Sequence, residues 1–231
     1  MKTSKRRKDI LKRAELNKEY SISEAVAKLK ETATAKFNES IDIAMRLGVD
    51  PKQADQLVRG TVTLPHGTGK SIRVLVIAKP EKQEEAKNAG ADYVGFEDYF
   101  KKIQEGWSDC DVIIATPDSM SELGKLGKIL GPKGLMPNPK SGTVTNDLAK
   151  AVKEVKAGRI EFRVDKAGIV HACLGKASFE PKQLEENIHT FINQVLKLKP
   201  ASSKGHYVKS LTISSTMGPG YAISRNELMP H

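Results

Sequence analysis

The chain changes its hydrophobic period twice, and this limits what it can fold into more than any other feature of its 231 residues. From Phe37 onward, apolar side chains fall on alternate positions (Ile41, Ile43, Met45, Leu47, Val49) with polar or small residues between them, until Pro51 ends the run. A period of two puts one face of a strand in a core and leaves the other towards water. Over residues 72–78 (IRVLVIA) and 111–115 (DVIIA) the apolar pattern is nearly continuous, as in strands covered on both faces. After Gly158 the alternation returns in residues 160–164, 169–174 and 207–214. One half-open sheet and one doubly covered sheet predict two domains. The first is built from both ends of the chain and the second is inserted into it.

Local signals fill in each part. Ser21 and Glu24 form a capping box that opens a helix with Ala25, Val26, Leu29 and Ala33 on one face. Residues 57–64 read as a second strand, and residues 181–198 as an amphipathic helix with Leu184, Ile188, Phe191, Ile192 and Val195 on its stripe. In the middle, a helical stretch to Gly90, then Tyr93 and Val94, a second stretch carrying Tyr99, Phe100 and Ile103, and a helix over 147–156 alternate with the buried strands. The expected class is mixed α/β and α+β. A discontinuous α+β domain (residues 1–66 plus 159–231), with helices on one face of a sheet, carries an inserted α/β domain (67–158). Past residue 214 the chain reads as a polar tail containing Gly and Pro.

Charge follows the same division. The whole chain carries 38 Lys and Arg against 28 Asp and Glu, a net of +10. Residues 1–66 hold 14 basic and 9 acidic side chains, residues 67–158 hold 14 and 13, and residues 159–231 hold 10 and 6. The excess therefore lies on the two outer segments, and a polyanion is their natural partner. The open face of the outer sheet is the expected place for it, as in RNA-binding modules that use one face of a single sheet. A membrane partner is not expected: there is no apolar run of about 18 residues, and the basic start over residues 1–16 is not followed by the apolar segment of a secretory signal. Cys110 and Cys173 are far apart with no ligand-spaced histidines, which predicts neither disulfide nor zinc site and points to a reducing compartment, the cytoplasm.

Several motifs invite chemistry and fail on context. Gly67-Thr68-Gly69-Lys70-Ser71 ends like a phosphate-cradling loop, but Leu64 stands where the first glycine is required, and the segment leads into a strand instead of a helix. Asp109, Asp111 and Asp118 flank a strand end without a paired base, nucleophile or metal cluster. Residues 124–139 hold four glycines and three prolines, too many for a regular helix or strand, and Lys125, Lys128, Lys133 and Lys140 make that segment a basic loop. Aromatic residues are few, which disfavours a single-strand binder built on stacking, while recognition of a folded RNA through phosphates, 2′-hydroxyls and shape stays open. Phe37 is the best-placed aromatic of the outer domain, though its spacing suits an edge-of-core phenylalanine equally well. A nucleotide-dependent enzyme working through the middle domain and a DNA-binding regulator are the rival readings. The second lacks a helix-turn-helix or zinc module.

Residues 131–144 (GPKGLMPNPKSGTV) resemble the signature of the family of large-ribosomal-subunit protein one. The resemblance, to the bacterial form, extends over the basic start, residues 36–40 (KFNES), the glycine-rich connection after Leu64, residues 163–166, and residues 214–220 (SSTMGPG). It implies a split β-α-β outer domain that is the principal rRNA binder, and an inserted Rossmann-like, three-layer domain without nucleotide, cofactor or metal. It implies a non-enzymatic, cytoplasmic protein of the large ribosomal subunit, monomeric when free, that grips the stalk region of 23S rRNA. The implied roles include helping deacylated tRNA leave the exit site and repressing its own operon by binding the mRNA. Carried over by position, the RNA-contacting residues are Lys36, Phe37, Ser40, Arg163, Asp165, Lys166, Gly168, His171, Ser178, Ser210, Thr216, Met217 and Gly218. Lys36 and Lys166 suit phosphates, the hydroxyls of Ser40, Ser210 and Thr216 suit ribose, and Asp165 is unexpected beside a polyanion. Gly67, Gly69 and Gly158 are the expected hinge between domains.

Overall fold

The computed structural model describes residues 5–14, 18–203, 205–224 and 227, so Lys2 and Leu16 of the basic start and His231 lie outside the described residues. In chain order the elements are α1 (Lys5–Arg13), β1 (Glu19–Tyr20), α2 (Ile22–Thr32), β2 (Ser40–Leu47), β3 (Arg59–Thr63), β4 (Val74–Ile77), α3 (Pro80–Asn88), β5 (Tyr93–Gly95) and α4 (Glu97–Gln104). They continue with β6 (Val112–Ala115), α5 (Met120–Lys125), α6 (Gly127–Leu130), α7 (Leu148–Lys156), β7 (Arg159–Arg163), β8 (Ile169–Lys176), α8 (Pro181–Lys197), β9 (Val208–Ser215) and β10 (Gly220–Ile223). The architecture is mixed α/β, as the sequence predicts. The chain divides into two compact units, residues 1–69 with 160–231, and residues 70–159.

The first unit is built on a five-stranded sheet in the order β1-β10-β9-β2-β8. β2 is antiparallel to both β8 and β9, with Ser40 opposite Lys176, Ala44 opposite His171 and Thr212, and Arg46 opposite Ile169 and Ser210. The alternation behaves as expected: Ile41, Ile43, Met45 and Leu47 are buried, while Asp42 and Ala44 are half-buried and Arg46 is exposed on the other face. The inward residues share one core with Ala25, Val26 and Leu29 of α2 and Leu184, Ile188, Phe191 and Val195 of α8. The capping box at Ser21 is present, with the Ser21 hydroxyl accepting from the Glu24 amide. Thr32, not Ala33, completes the buried stripe of α2, its hydroxyl bonded to the Lys28 carbonyl and to Tyr221. α8 also meets the two-stranded β3–β7 sheet, where Phe162 stacks edge-on against Phe191 at 5.2 Å.

The second unit has a parallel sheet in the order β5-β4-β6. All four residues of β4 are buried, as its unbroken apolar run requires. Val74 and Val76 pack with Leu148, Val152 and Val155 of α7 on one side. Leu75 and Ile77 pack with Ile103, Leu123, Leu126 and Leu130 on the other.

Three expectations need correction. The second strand of the outer domain is shorter than 57–64, because Leu57 is exposed and pairing begins at Arg59. The segment over 124–139 is not wholly irregular: α5 includes Gly124 and α6 starts at Gly127. Burial of Leu123, Leu126 and Leu130 against the sheet outweighs the glycines' weak helix propensity. The residues after 214 are not merely a tail, since β10 buries Tyr221 and Ile223 and supports the parallel two-residue strand β1.

A buried amide ties the first unit to its connecting segment. Asn187 of α8 is fully buried, donates to the carbonyls of Gly67 (3.0 Å) and Leu174 (2.8 Å), and accepts from the His66 amide (3.2 Å). Asn187→Leu strands three backbone groups and is expected to destabilise the protein by about 1–3 kcal/mol in urea unfolding. The exposed neighbour His189→Ala is expected to cost less than about 0.5 kcal/mol in the same assay.

Candidate nucleic-acid interface

The sheet divides the sequence-predicted contact residues between its two ends. At the start of β2 lie Lys36, Phe37 and Ser40, with Ser178 after β8 and Thr216, Met217 and Gly218 after β9. At the other end, the turn from β7 to β8 brings Arg163, Asp165, Lys166 and Gly168 beside the end of β2, where the Leu47 amide donates to the Gly168 carbonyl at 2.8 Å. Ser210 lies opposite Arg46 at that end, and His171, opposite Ala44, stands between the groups. Six residue steps along the strand from Ser40 to Arg46, at about 3.3 Å each, separate the clusters by roughly 20 Å. The outward face between them carries Asp42 and the small side chains Ala44, Thr212 and Ser214, none of them bulky.

The first cluster is organised by a residue that the sequence reading left out. Glu39 is 1% exposed, an extreme burial for a carboxylate. Its Oε1 accepts from the Ala35 amide at 3.0 Å and from Arg6 Nη2 at 3.4 Å. Its Oε2 accepts from the Ser215 hydroxyl at 2.8 Å and the Met217 amide at 2.9 Å. Burial alone would raise its pKa. The hydrogen bonds from Met217, Ser215 and Ala35, with the charge of Arg6, outweigh burial and hold it below its ordinary value of 4.5. The Ser40 amide donates to Thr216 Oγ1 at 2.9 Å, and the Thr216 amide donates to the Ser40 carbonyl at 3.0 Å. Asn38 Nδ2 donates to Ser178 Oγ at 2.9 Å, and Lys176 Nζ to Ser40 Oγ at 2.8 Å. The hydroxyls of Ser40, Ser178 and Thr216 thus already hold the protein's own loops in place. At Gly218 an added Cβ would lie 2.4 Å from Ser215 Oγ, so a larger residue would disturb the hydroxyl that bonds Glu39.

This frame leaves Phe37 and Met217 facing water, at 54% and 56% exposure. Phe37 is therefore no edge-of-core residue. Two large apolar side chains held out of a folded surface next to Lys36 are a feature to explain.

The second cluster accounts for the unexpected acid. Asp165 Oδ1 accepts from the amides of Ala167 and Ile169, both at 2.8 Å, and Oδ2 lies 3.6 Å from His171 Nε2. The Ile169 amide foremost, and then the Ala167 amide and the neighbouring His171, hold its pKa below 3.8. Asp165 shapes the turn that presents Arg163 and Lys166, both exposed. Gly168 is buried at this turn, with the Leu47 and Val49 carbonyls each 3.4 Å from where a Cβ would be.

The three glycines near the connections differ in their surroundings. Gly67 is held by Asn187, and at Gly69, with φ of +69°, a Cβ would come within 2.9 Å of Lys176 and Phe179. Both belong with the first unit, which continues to Gly69 before the chain enters the second. Gly158, with φ of +101°, follows α7.

The middle unit's acids have ordinary employment. Asp111 Oδ2 accepts from the Arg73 amide (3.0 Å) and Nε (3.4 Å), and Asp118 pairs with Lys79 at 3.3 Å on the exposed surface. Burial, above all, pushes the Cys110 thiol up to about 11. Lys70 and Ser71 lead into β4 and not into a helix. Among the described residues no group of three or more His, Cys, Asp or Glu could hold a metal ion.

The first unit thus offers cations, hydroxyls and two exposed apolar groups on one pinned surface, the chemistry of a polyanion-binding module. The ribosomal protein L1p/L10e family model matches residues 29–219. The large ribosomal subunit protein uL1 of Chlorobaculum tepidum is 61% identical over 211 residues, 91% of each chain. That of Flavobacterium johnsoniae is 57% identical over 222 residues, covering 96% of this chain and 97% of the relative. That of Porphyromonas gingivalis is 57% identical over 222 residues, 96% of each. The chain belongs to the ribosomal protein L1p/L10e family, which is one of ribosomal structural proteins and not of enzymes.

Glu39 gives a prediction with a definite sign. Its folded pKa is lowered, so its contribution to stability is present above its ordinary value and is lost as pH falls through the lowered one. Glu39→Gln should therefore be clearly less stable than the parent at pH 7, and the gap should narrow steadily as unfolding is repeated between pH 5 and about pH 3. A gap that stays constant over that range would show that the carboxylate charge is not what holds the cluster.

Proposed function

We propose that this protein is a structural component of the large ribosomal subunit whose first unit grips the folded stalk region of 23S rRNA at both ends of its five-stranded sheet. The observation that carries this reading is the convergence of Lys36, Phe37, Ser40, Thr216 and Met217, from segments 176 positions apart, on one face organised by Glu39. Lys36, Arg163 and Lys166 supply charge for phosphates, while Phe37 and Met217 supply faces for a sugar or base. The charge excess of the outer segments and the names of the relatives support the same partner.

The second unit is assigned the mobile contacts. Exposed Lys125, Lys128, Lys133 and Lys140 on and around α5 and α6 suit exit-site tRNA, whose release in deacylated form the protein assists. Motion between the units is placed just after Gly69 and near Gly158, with Gly67 and Gly69 serving as the fixed side of the joint. The surface that binds rRNA also binds a similar structure in the protein's own operon mRNA, so free protein represses its synthesis. The place of work is the ribosome, in the cytoplasm. Among the described residues no helix is long and apolar enough to cross a membrane.

The test is titration of a stalk rRNA fragment at several salt concentrations. Affinity should fall with rising salt by about 0.7–0.9 log units per log unit of salt for each neutralised phosphate. Phe37→Ala or Met217→Ala should weaken binding by roughly fivefold or more, if each contacts one base or sugar, with unfolding curves unchanged. Binding no tighter than to a random RNA duplex would overturn the reading.

A further inference from the structure

The N-terminal helix α1 has a charge arrangement that its own stability does not explain. Its first four residues are Lys5, Arg6, Arg7 and Lys8, and its first turn contains no acid. The positive end of the helix dipole lies there, so four successive cations oppose both the dipole and one another. Nine residues are also too few for a helix that holds itself together in water. α1 therefore depends on its docking, and the docking is specific. Ile10 packs against the core of the first unit, and Arg6 pairs with Glu39 at 3.4 Å.

That carboxylate is the one whose other oxygen receives the Met217 amide and the Ser215 hydroxyl, and whose shared oxygen receives the Ala35 amide just before Lys36 and Phe37. One acid thus binds the loop that presents Met217, the approach to Phe37 and the basic helix. With 3.6 residues per turn, Ile10 and Arg6 point inward while Lys5 and Lys8 fall on the far side of α1. Both lysines are exposed. Within a turn of Arg6, they add positive charge at the end of the first unit where Glu39 bonds the segment leading to Lys36. Asp9, four residues after Lys5, lies on the Lys5 side of the helix and with Glu31 lines a cavity of about 350 Å³ alongside Arg6, Ile10, Thr32 and Thr34, which still leaves an excess of cations over residues 5–10.

We infer that α1 is a third part of the RNA-binding surface: Lys5 and Lys8 neutralise phosphates flanking the Phe37 cluster, and the Arg6–Glu39 ion pair holds the helix where they reach them. This rests on the rRNA-binding reading above. It adds a partner contact to a segment outside the two clusters, and it makes Arg6 a positioning residue.

The experiment uses the full chain and a stalk rRNA fragment, with affinity measured by fluorescence anisotropy at about 50–200 mM KCl. For the double variant Lys5→Gln, Lys8→Gln, the slope of log affinity against log salt should become shallower by about one to two units, with affinity about tenfold lower near 0.1 M salt. Thermal unfolding should not change, since both side chains are exposed. In an Arg6→Gln background the same double change should cost less than about threefold, because an undocked helix no longer places its lysines. Wild-type binding with an unchanged slope in the double variant overturns the inference and leaves the rRNA reading standing. An equal loss in both backgrounds overturns the positioning role of Arg6. Wild-type protein that prefers the fragment no more than a random duplex overturns the rRNA reading and this inference with it.

Discussion

The first unit depends on one buried carboxylate. Glu39 sits at the mouth of β2, and the segments it bonds come from the N-terminal helix, the approach to β2 and the exit of β9. Burying an acid is costly unless every oxygen is partnered, and an acid partnered by groups so distant in sequence can be satisfied only in the folded arrangement. The same bonds that repay its burial fix the loops bearing Phe37 and Met217. This is how two large apolar side chains can stay exposed on a stable protein without collapsing into the core. Their positions are set by backbone amides and by hydroxyls behind them, not by their own packing.

The interior position of β2, between β9 and β8, gives the second half of the account. Paired on both sides, it cannot shift register without moving a full set of apolar side chains out of the core. Its two ends are therefore fixed points. The Phe37 cluster gathers at one, and the turn shaped by Asp165 at the other. The result is a pair of candidate contact regions about 20 Å apart on a rigid base, joined by Asp42 and a floor of small residues. A surface of this kind reads the shape of a folded polyanion better than a run of unpaired bases, in keeping with the low aromatic content.

Much of this was legible in the sequence, for physical reasons that can be named. The alternation of Ile41 through Leu47 reports a strand with one wet face, and the unbroken run ending in Ile77 and Ala78 reports one with none. Partition of charge pointed to the outer segments. What stayed hidden depends on long-range contacts. Nothing local marks Tyr221 as a core residue, because its burial against Thr32 and Tyr20 is visible only once β10 has joined β9. Leu123 and Leu130 make helices among glycines because a sheet lies beneath them. The resemblance to the family supplied the candidate contact residues but not their division of labour. Ser40, Ser178 and Thr216 bond protein atoms, Asp165 builds a turn, and Glu39 and Asn38, which lie within the matching segment, do the organising. An acid amid a basic, exposed stretch was the available signal for Glu39. Its burial could not be read from spacing.

The central claim, that the two ends of one sheet in the first unit hold the RNA, is tested most directly by ultraviolet cross-linking of the full chain to a stalk rRNA fragment, followed by mass spectrometry of the attached peptides. The account predicts cross-linked peptides from both ends, residues 36–40 with 214–218 and residues 163–171. Cross-links confined to residues 70–159 would contradict it.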